Sequence, residues 1–172
     1  MIMRQTLRIK WLFIFAMLLG LLLTGCGQEE RIPTIGIPSP ATEVNLTPGL
    51  SMKCIPEVLY NETTDLILRC TIYNDREAGL AVGHFYVLEY EKDGQWYQVT
   101  PAPSDQNFSV PEIAITYPPY SENEHGIDLE RYGTYFPPGH YRVILIKGGK
   151  FEDLGYKSYL SDHMLSGEFY VE

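Results

Sequence analysis

Three residue types in this 172-residue chain could do chemistry: three cysteines, four histidines and twenty-two acids. A cysteine can attack an electrophile, ligate a soft metal, form a bridge or carry an acyl chain, and Cys26, Cys54 and Cys70 must be sorted among these uses. Cys54 and Cys70 lack the C-x-x-C spacing and the nearby histidines of a zinc site. His84, His125, His140 and His163 stand apart, none two or four positions from another, so no metal template is visible and each is expected on the surface or in a turn. Asp162-His163 could supply part of a catalytic triad, but the chain has no G-x-S-x-G elbow and no glycine-rich phosphate loop. Glu152-Asp153, adjacent acids in a loop-like stretch, read as solvated. The expectation is a non-enzymatic protein with no cofactor and no metal.

The elements around Cys26 assign it a different chemistry. Met1 to Lys10 carries Arg4, Arg8 and Lys10 without an acid, and Trp11 to Leu23 is apolar apart from Gly20. A run of about thirteen apolar residues is shorter than the about twenty that cross a bilayer, so this reads as an export signal. Leu23-Thr24-Gly25-Cys26 resembles the lipobox of bacterial lipoproteins, which implies that residues 1–25 are removed and that Cys26 carries two acyl chains. Two chains suffice for stable anchoring. The resemblance places the protein outside the cytoplasm, lipid-anchored to the bacterial cell membrane; an uncleaved anchor with a chance cysteine is the alternative.

Removing residues 1–25 leaves ten basic residues against twenty-two acidic ones, a formal charge of −12. That sign excludes nucleic acid as a partner and argues against lying flat on anionic lipid. Residues 26–49 contain Pro33, Pro38, Pro40 and Pro48 with no sustained hydrophobic period, and read as the lipidated cysteine plus a flexible linker. Residues 50–172 are enough for one core.

Within that domain the pattern is short alternating runs separated by turn residues, which predicts an all-β antiparallel sandwich of about seven strands. The first hairpin, Leu50–Val58 with Asp65–Tyr73, centres on residue 62, so that position i faces 124 − i. Met52 then faces Ile72, Cys54 faces Cys70, Pro56 faces Leu68 and Val58 faces Leu66. One face is apolar throughout, and the register that buries it also brings Cys54 and Cys70 within disulfide reach. A structural Cys54–Cys70 bridge is expected, with two buried free thiols as the alternative and zinc a poor third.

His84 to Glu91 forms the next strand, with no clear inward side. Asp93-Gly94 turns the chain back along Trp96 to Thr100. Pro101 to Ser121 is confined by its prolines to loops and one short edge strand around Phe108 to Val110. Glu124 to Glu130 places Ile127 and Leu129 inward, Asp128 and Glu130 outward. In Pro138-Gly139-His140-Tyr141-Arg142-Val143-Ile144-Leu145-Ile146, a Pro-Gly turn precedes x-Tyr-Arg and a β-branched run. This resembles the penultimate strand of an immunoglobulin-like sandwich, with Tyr141 as its corner tyrosine. With Phe85 to Glu91, the Asp93-Gly94-x-Trp96 hairpin and Ile127-Asp128-Leu129, the chain from Leu50 to Glu172 is similar to bacterial immunoglobulin-like domains. The resemblance implies that Tyr141, Val143 and Leu145 face the core. Val143 stands where an antibody domain has its second cysteine, and Trp96 is no stand-in for the antibody core tryptophan.

Thirteen tyrosines is a high number for this length, and Tyr117, Tyr120, Tyr132, Tyr135, Tyr156 and Tyr159 fall in expected loops. Loop tyrosines supply contact area at low entropic cost, although many also brace the ends of small sandwiches. The loop Gly148 to His163, with Phe151, Tyr156 and Tyr159, is the candidate partner-binding edge, with Tyr117 to Tyr120 as a possible second part. The expected function is a membrane-anchored binding or adaptor module for an envelope protein or wall polymer. An inhibitor that inserts a loop into a hydrolase or protease cleft is the alternative.

Overall fold

In the computed structural model, alternation decides which residues form sheets. In Leu50–Ile55 every second side chain is buried, and Ile67–Asn74 buries Leu68, Cys70, Ile72 and Asn74 on one face. The structure describes residues 31–41, 43–61, 66–83, 85–101, 115–146 and 164–172. Over these the strands are β1 (Thr34–Pro38), β2 (Leu50–Ile55), β3 (Val58–Leu59), β4 (Ile67–Asn74), β5 (Leu80–Val82), β6 (Tyr86–Lys92), β7 (Gln95–Thr100), β8 (Ile115–Tyr117), β9 (Ser121–Asp128), β10 (Gly139–Ile146) and β11 (Met164–Val171). A six-stranded sheet in the order β1-β7-β6-β10-β11-β3 packs against a three-stranded sheet β2-β4-β9, and β5-β8 form a two-stranded ribbon. This is an all-β sandwich of immunoglobulin-like kind. The seven long strands β2, β4, β6, β7, β9, β10 and β11 answer to the about seven expected. The other four described strands are pieces of two to five residues.

The first hairpin pairs as the 124 − i rule predicts from Leu50↔Asn74 to Ile55↔Arg69, Cys54↔Cys70 included. It departs from the rule beyond that point. The Ile55-Pro56 peptide is cis, and the chain leaves one sheet for the other. Val58 therefore pairs in parallel with Tyr170 of β11 instead of facing Leu66. Asp93 and Gly94 both take positive φ, which a two-residue turn of matching twist requires, and the pair Lys92↔Gln95 closes on them.

The core lies between the sheets. Leu68, Ile72, Leu88, Ile127, Leu129, Val143, Leu145 and Phe169 are all fully buried, so the inward assignments of β9 and β10 hold. Tyr141 stacks on Phe169 with ring centroids 5.6 Å apart and meets Phe136 edge-on at 6.1 Å. Its hydroxyl donates to the Pro137 carbonyl at 2.7 Å, the upstream backbone bond of a tyrosine corner. Burial pushes this phenol well above its usual range, so it stays a neutral donor. Tyr141→Phe keeps the rings and loses that bond; chemical denaturation of the purified protein should show a loss of about 1 kcal/mol. An unchanged midpoint would remove the corner from the list of stabilising contacts.

The flexible-linker expectation is corrected for the residues described before Leu50. Thr34–Pro38 pairs antiparallel with β7, and Ala41 is buried. A backbone with unpaired donors beside an open sheet edge gains by pairing with it, and Pro33 before the strand and Pro38 at its end do not prevent that.

Candidate functional site

The outward face of the six-stranded sheet carries the densest polar chemistry among the described residues. Cross-strand registers arrange it as three rows. Directly opposed residues share a face in an antiparallel sheet, so Val87↔Ile144↔Ser166 form one row and Gln98↔Glu89↔Arg142↔Glu168 the next. The third row is Trp96↔Glu91 with His140↔Tyr170, at the end of β10 where the strand begins.

Residues 39–41 and 43–46 cross this face as a strap. It starts at β7, where the Ser39 N–H donates to the Trp96 carbonyl at 2.8 Å, and reaches β11, where the Asn45 N–H donates to the Met164 carbonyl at 3.0 Å. Asn45 takes a left-handed backbone, and its amide side chain acts like one more strand. Its Nδ2 donates to the Ser166 carbonyl at 3.1 Å, and its Oδ1 accepts the Ser166 N–H at 2.7 Å. Ala41 packs with Val87, Ile144 and Met164 in a small second core, so Val87 and Ile144 of the first row are covered.

Under the strap the second row holds a buried ion pair. Arg142 Nη2 and Nε lie 2.7 and 2.8 Å from Glu89 Oε2, and Glu89 is fully buried. Nη2 also donates to the Ala41 carbonyl at 3.0 Å, Ser39 Oγ donates to Glu89 Oε1, and the guanidinium sits 4.3 Å from the Trp96 ring centre. Each charge thus meets several polar partners, which offsets the desolvation of both.

The third row lies beyond the strap. Glu91 and Glu168 place carboxylate oxygens 2.6 and 3.1 Å from the two ring nitrogens of His140, one on each side of the imidazole. His140 stacks on Tyr170 at 4.4 Å and 9° and meets Trp96 edge-on at 5.0 Å. Tyr170 stays 49% exposed. Beside it a groove of ≈ 330 Å³ opens between β11 and β2, floored by Met52 and Cys54. Aromatic surface flanked by carboxylates and opening into a cleft can hold a ligand by stacking and charge-assisted hydrogen bonds.

Cys54 and Cys70 face each other at the edge of this groove, both buried, as free thiols with their sulfurs 3.2 Å apart in hydrogen-bond contact. The hydrogen bond with Cys54, then burial, drives the Cys70 thiol far above its ordinary range. A Cβ on Gly167 would lie 2.8 Å from Cys54 Sγ, so only glycine lets β11 approach the thiol. Cys26, Phe151, Tyr156, Tyr159, His84, His163 and the edge strand expected around Phe108 to Val110 lie outside the described residues.

Two further expectations are corrected. His125 is buried, its Nδ1 2.6 Å from the Tyr117 hydroxyl, because it shares the inward parity of Ile127. His140 is mostly buried too, its side chain 19% exposed inside the third row. Tyr117 is a buried residue of β8, and Tyr132 lies in the core, donating to the Tyr86 carbonyl and accepting the Leu88 N–H, each at 3.2 Å. Desolvation pushes its phenol up to about 12. Tyr120, by contrast, is 67% exposed. The third row was missed because its members lie on four strands and only the register joins them.

Among the described residues no group of three or more His, Cys, Asp or Glu could hold a metal ion. The family described as "Bacterial Ig-like domain" matches residues 47–151. No curated protein and no solved structure matches the chain.

Proposed function

The chain belongs to the bacterial Ig-like domain family, and from that premise we propose that it is a lipid-anchored extracytoplasmic binding module. Cys26 is the anchor, and an envelope protein or wall polymer is the partner. The anchor rests on the basic, apolar and Leu-Thr-Gly-Cys succession of residues 1–26. The binding role rests on one observation: the row Trp96, Glu91, His140 and Tyr170 keeps aromatic and carboxylate groups together on a face that the strap covers elsewhere.

The loop of residues 148–163, with Phe151, Tyr156 and Tyr159, is the second surface in this reading. It follows the far end of β10 from His140. Photo-crosslinkers placed at Trp96 and at Tyr156 in intact cells separate them. Capture of an envelope component from position 96, and loss of membrane retention and of palmitate-analogue label in Cys26→Ala, are the expected results. Capture from position 156 alone would move the binding role to the loop, and an unlabelled wild type would remove the anchor.

A further inference from the structure

We propose that the groove between β2 and β11 is a binding site for a primary ammonium group carried on a small organic body. The proposal deepens the binding-module reading and rests on it only in requiring the β11 side of the molecule to be open. At ≈ 330 Å³ the groove lies at the lower end of small-ligand sites, which suits one sugar ring or a short aliphatic amine rather than a folded partner.

Its chemistry selects a cation. Glu57 and Glu168 both line it, with Lys53 as the one cationic side chain among the lining residues. Lys53 Nζ lies 3.4 Å from Glu57 Oε1, with both side chains more than half exposed, so the protein itself already sets an ammonium against this wall by a weak contact. Tyr170 has one face stacked on His140, and what it offers the groove is the remaining face and edge. A cation against an aromatic face is attracted by the ring quadrupole. The floor of Met52 and Cys54 is apolar and suits the body that carries the amine.

A second, independent feature points to a missing partner. Ser166 lines the same groove and is only 3% exposed, yet its Oγ makes no hydrogen bond. A buried hydroxyl left unsatisfied is costly, and an incoming N–H donor relieves that cost. A primary ammonium brings three donors, a number that matches the two carboxylates and the hydroxyl. An anion meets two carboxylates here, and a neutral sugar brings them no positive charge.

Calorimetric titration of the purified full-length protein in detergent micelles with glucosamine, butylamine and glucose tests the assignment. Both amines should bind saturably at one site and glucose should not; the tighter amine identifies a sugar or an aliphatic source. Tyr170→Ala should weaken amine binding about 2- to 5-fold through the lost cation–π contact. Lys53→Met should tighten it by about the same factor, because the like charge is gone. A purely structural groove would not give that increase. Glucose binding as well as glucosamine, absence of saturable binding by either amine, or no response to Lys53→Met would each overturn the proposal. Crosslinking from position 96 that persists without amine binding would confine the failure to the groove and leave the module reading standing.

Discussion

Arg142→Ala is expected to destabilise the protein by about 3–5 kcal/mol, because it leaves the fully buried Glu89 carboxylate without its counter-charge. The substitution also removes the donor that holds the Ala41 carbonyl and the cation stacked on Trp96, so the strap loses its central attachment. In thermal unfolding the shift should be about 10–20 °C for a domain of this size. Replacing both partners, Glu89→Met with Arg142→Leu, should cost much less, since no unpaired charge remains. If the single and double variants lose equal stability, the ion pair is not what makes Arg142 important, and the packing of its stem is.

Oxidative refolding of the protein with a glutathione couple is expected to join Cys54 to Cys70. Two thiols lose two protons and two electrons, oxidised glutathione takes them up as two thiols, and the intact mass falls by two hydrogens. The two cysteines are 16 residues apart, and a loop of that size stabilises by about 3 kcal/mol in the chain-entropy account. The folded dithiol should react slowly. Both thiols are buried, and the Cys70 thiolate that would attack is disfavoured by its hydrogen bond with Cys54 and by burial. Alkylation of both cysteines after oxidative refolding, with no mass difference under reductant, would show that the pair remains as thiols. An oxidised form no more resistant to denaturant than the reduced one would show that bridging strains β2 against β4.

The parts of the fold legible in the sequence are those where burial alternates along one strand. Cys54 opposite Cys70, Ile127 with Leu129, and Tyr141 with Val143 and Leu145 follow from a period of two together with turn residues. Asp93-Gly94 was legible because both positions need positive φ. Strand β1 was not, since all five of its residues are exposed and it shows no alternation. Its pairing comes from the open edge of β7, which no local pattern announces. The burial of Glu89 and Arg142 was illegible for a related reason. A charge on a strand reads as outward, and here the outward face is covered by residues about fifty positions from one partner and a hundred from the other. The candidate site was visible only in its residue types, because Trp96, Glu91, His140 and Tyr170 become neighbours through the pairing of four strands.

The strap also means that the folding unit reaches beyond the family match at both ends. The family match opens at residue 47, after Ser39, Ala41 and Asn45 have made their contacts. It closes at residue 151, before β11, which supplies Phe169 to the core. A polypeptide trimmed to the match would present Val87 and Ile144 to water together with a bare Glu89–Arg142 pair, and would lack a strand that pairs with β10 along its whole length. Such a fragment has the makings of an aggregating species, with apolar surface uncovered and a sheet edge open. The solubility of the middle of this molecule depends on both of its ends.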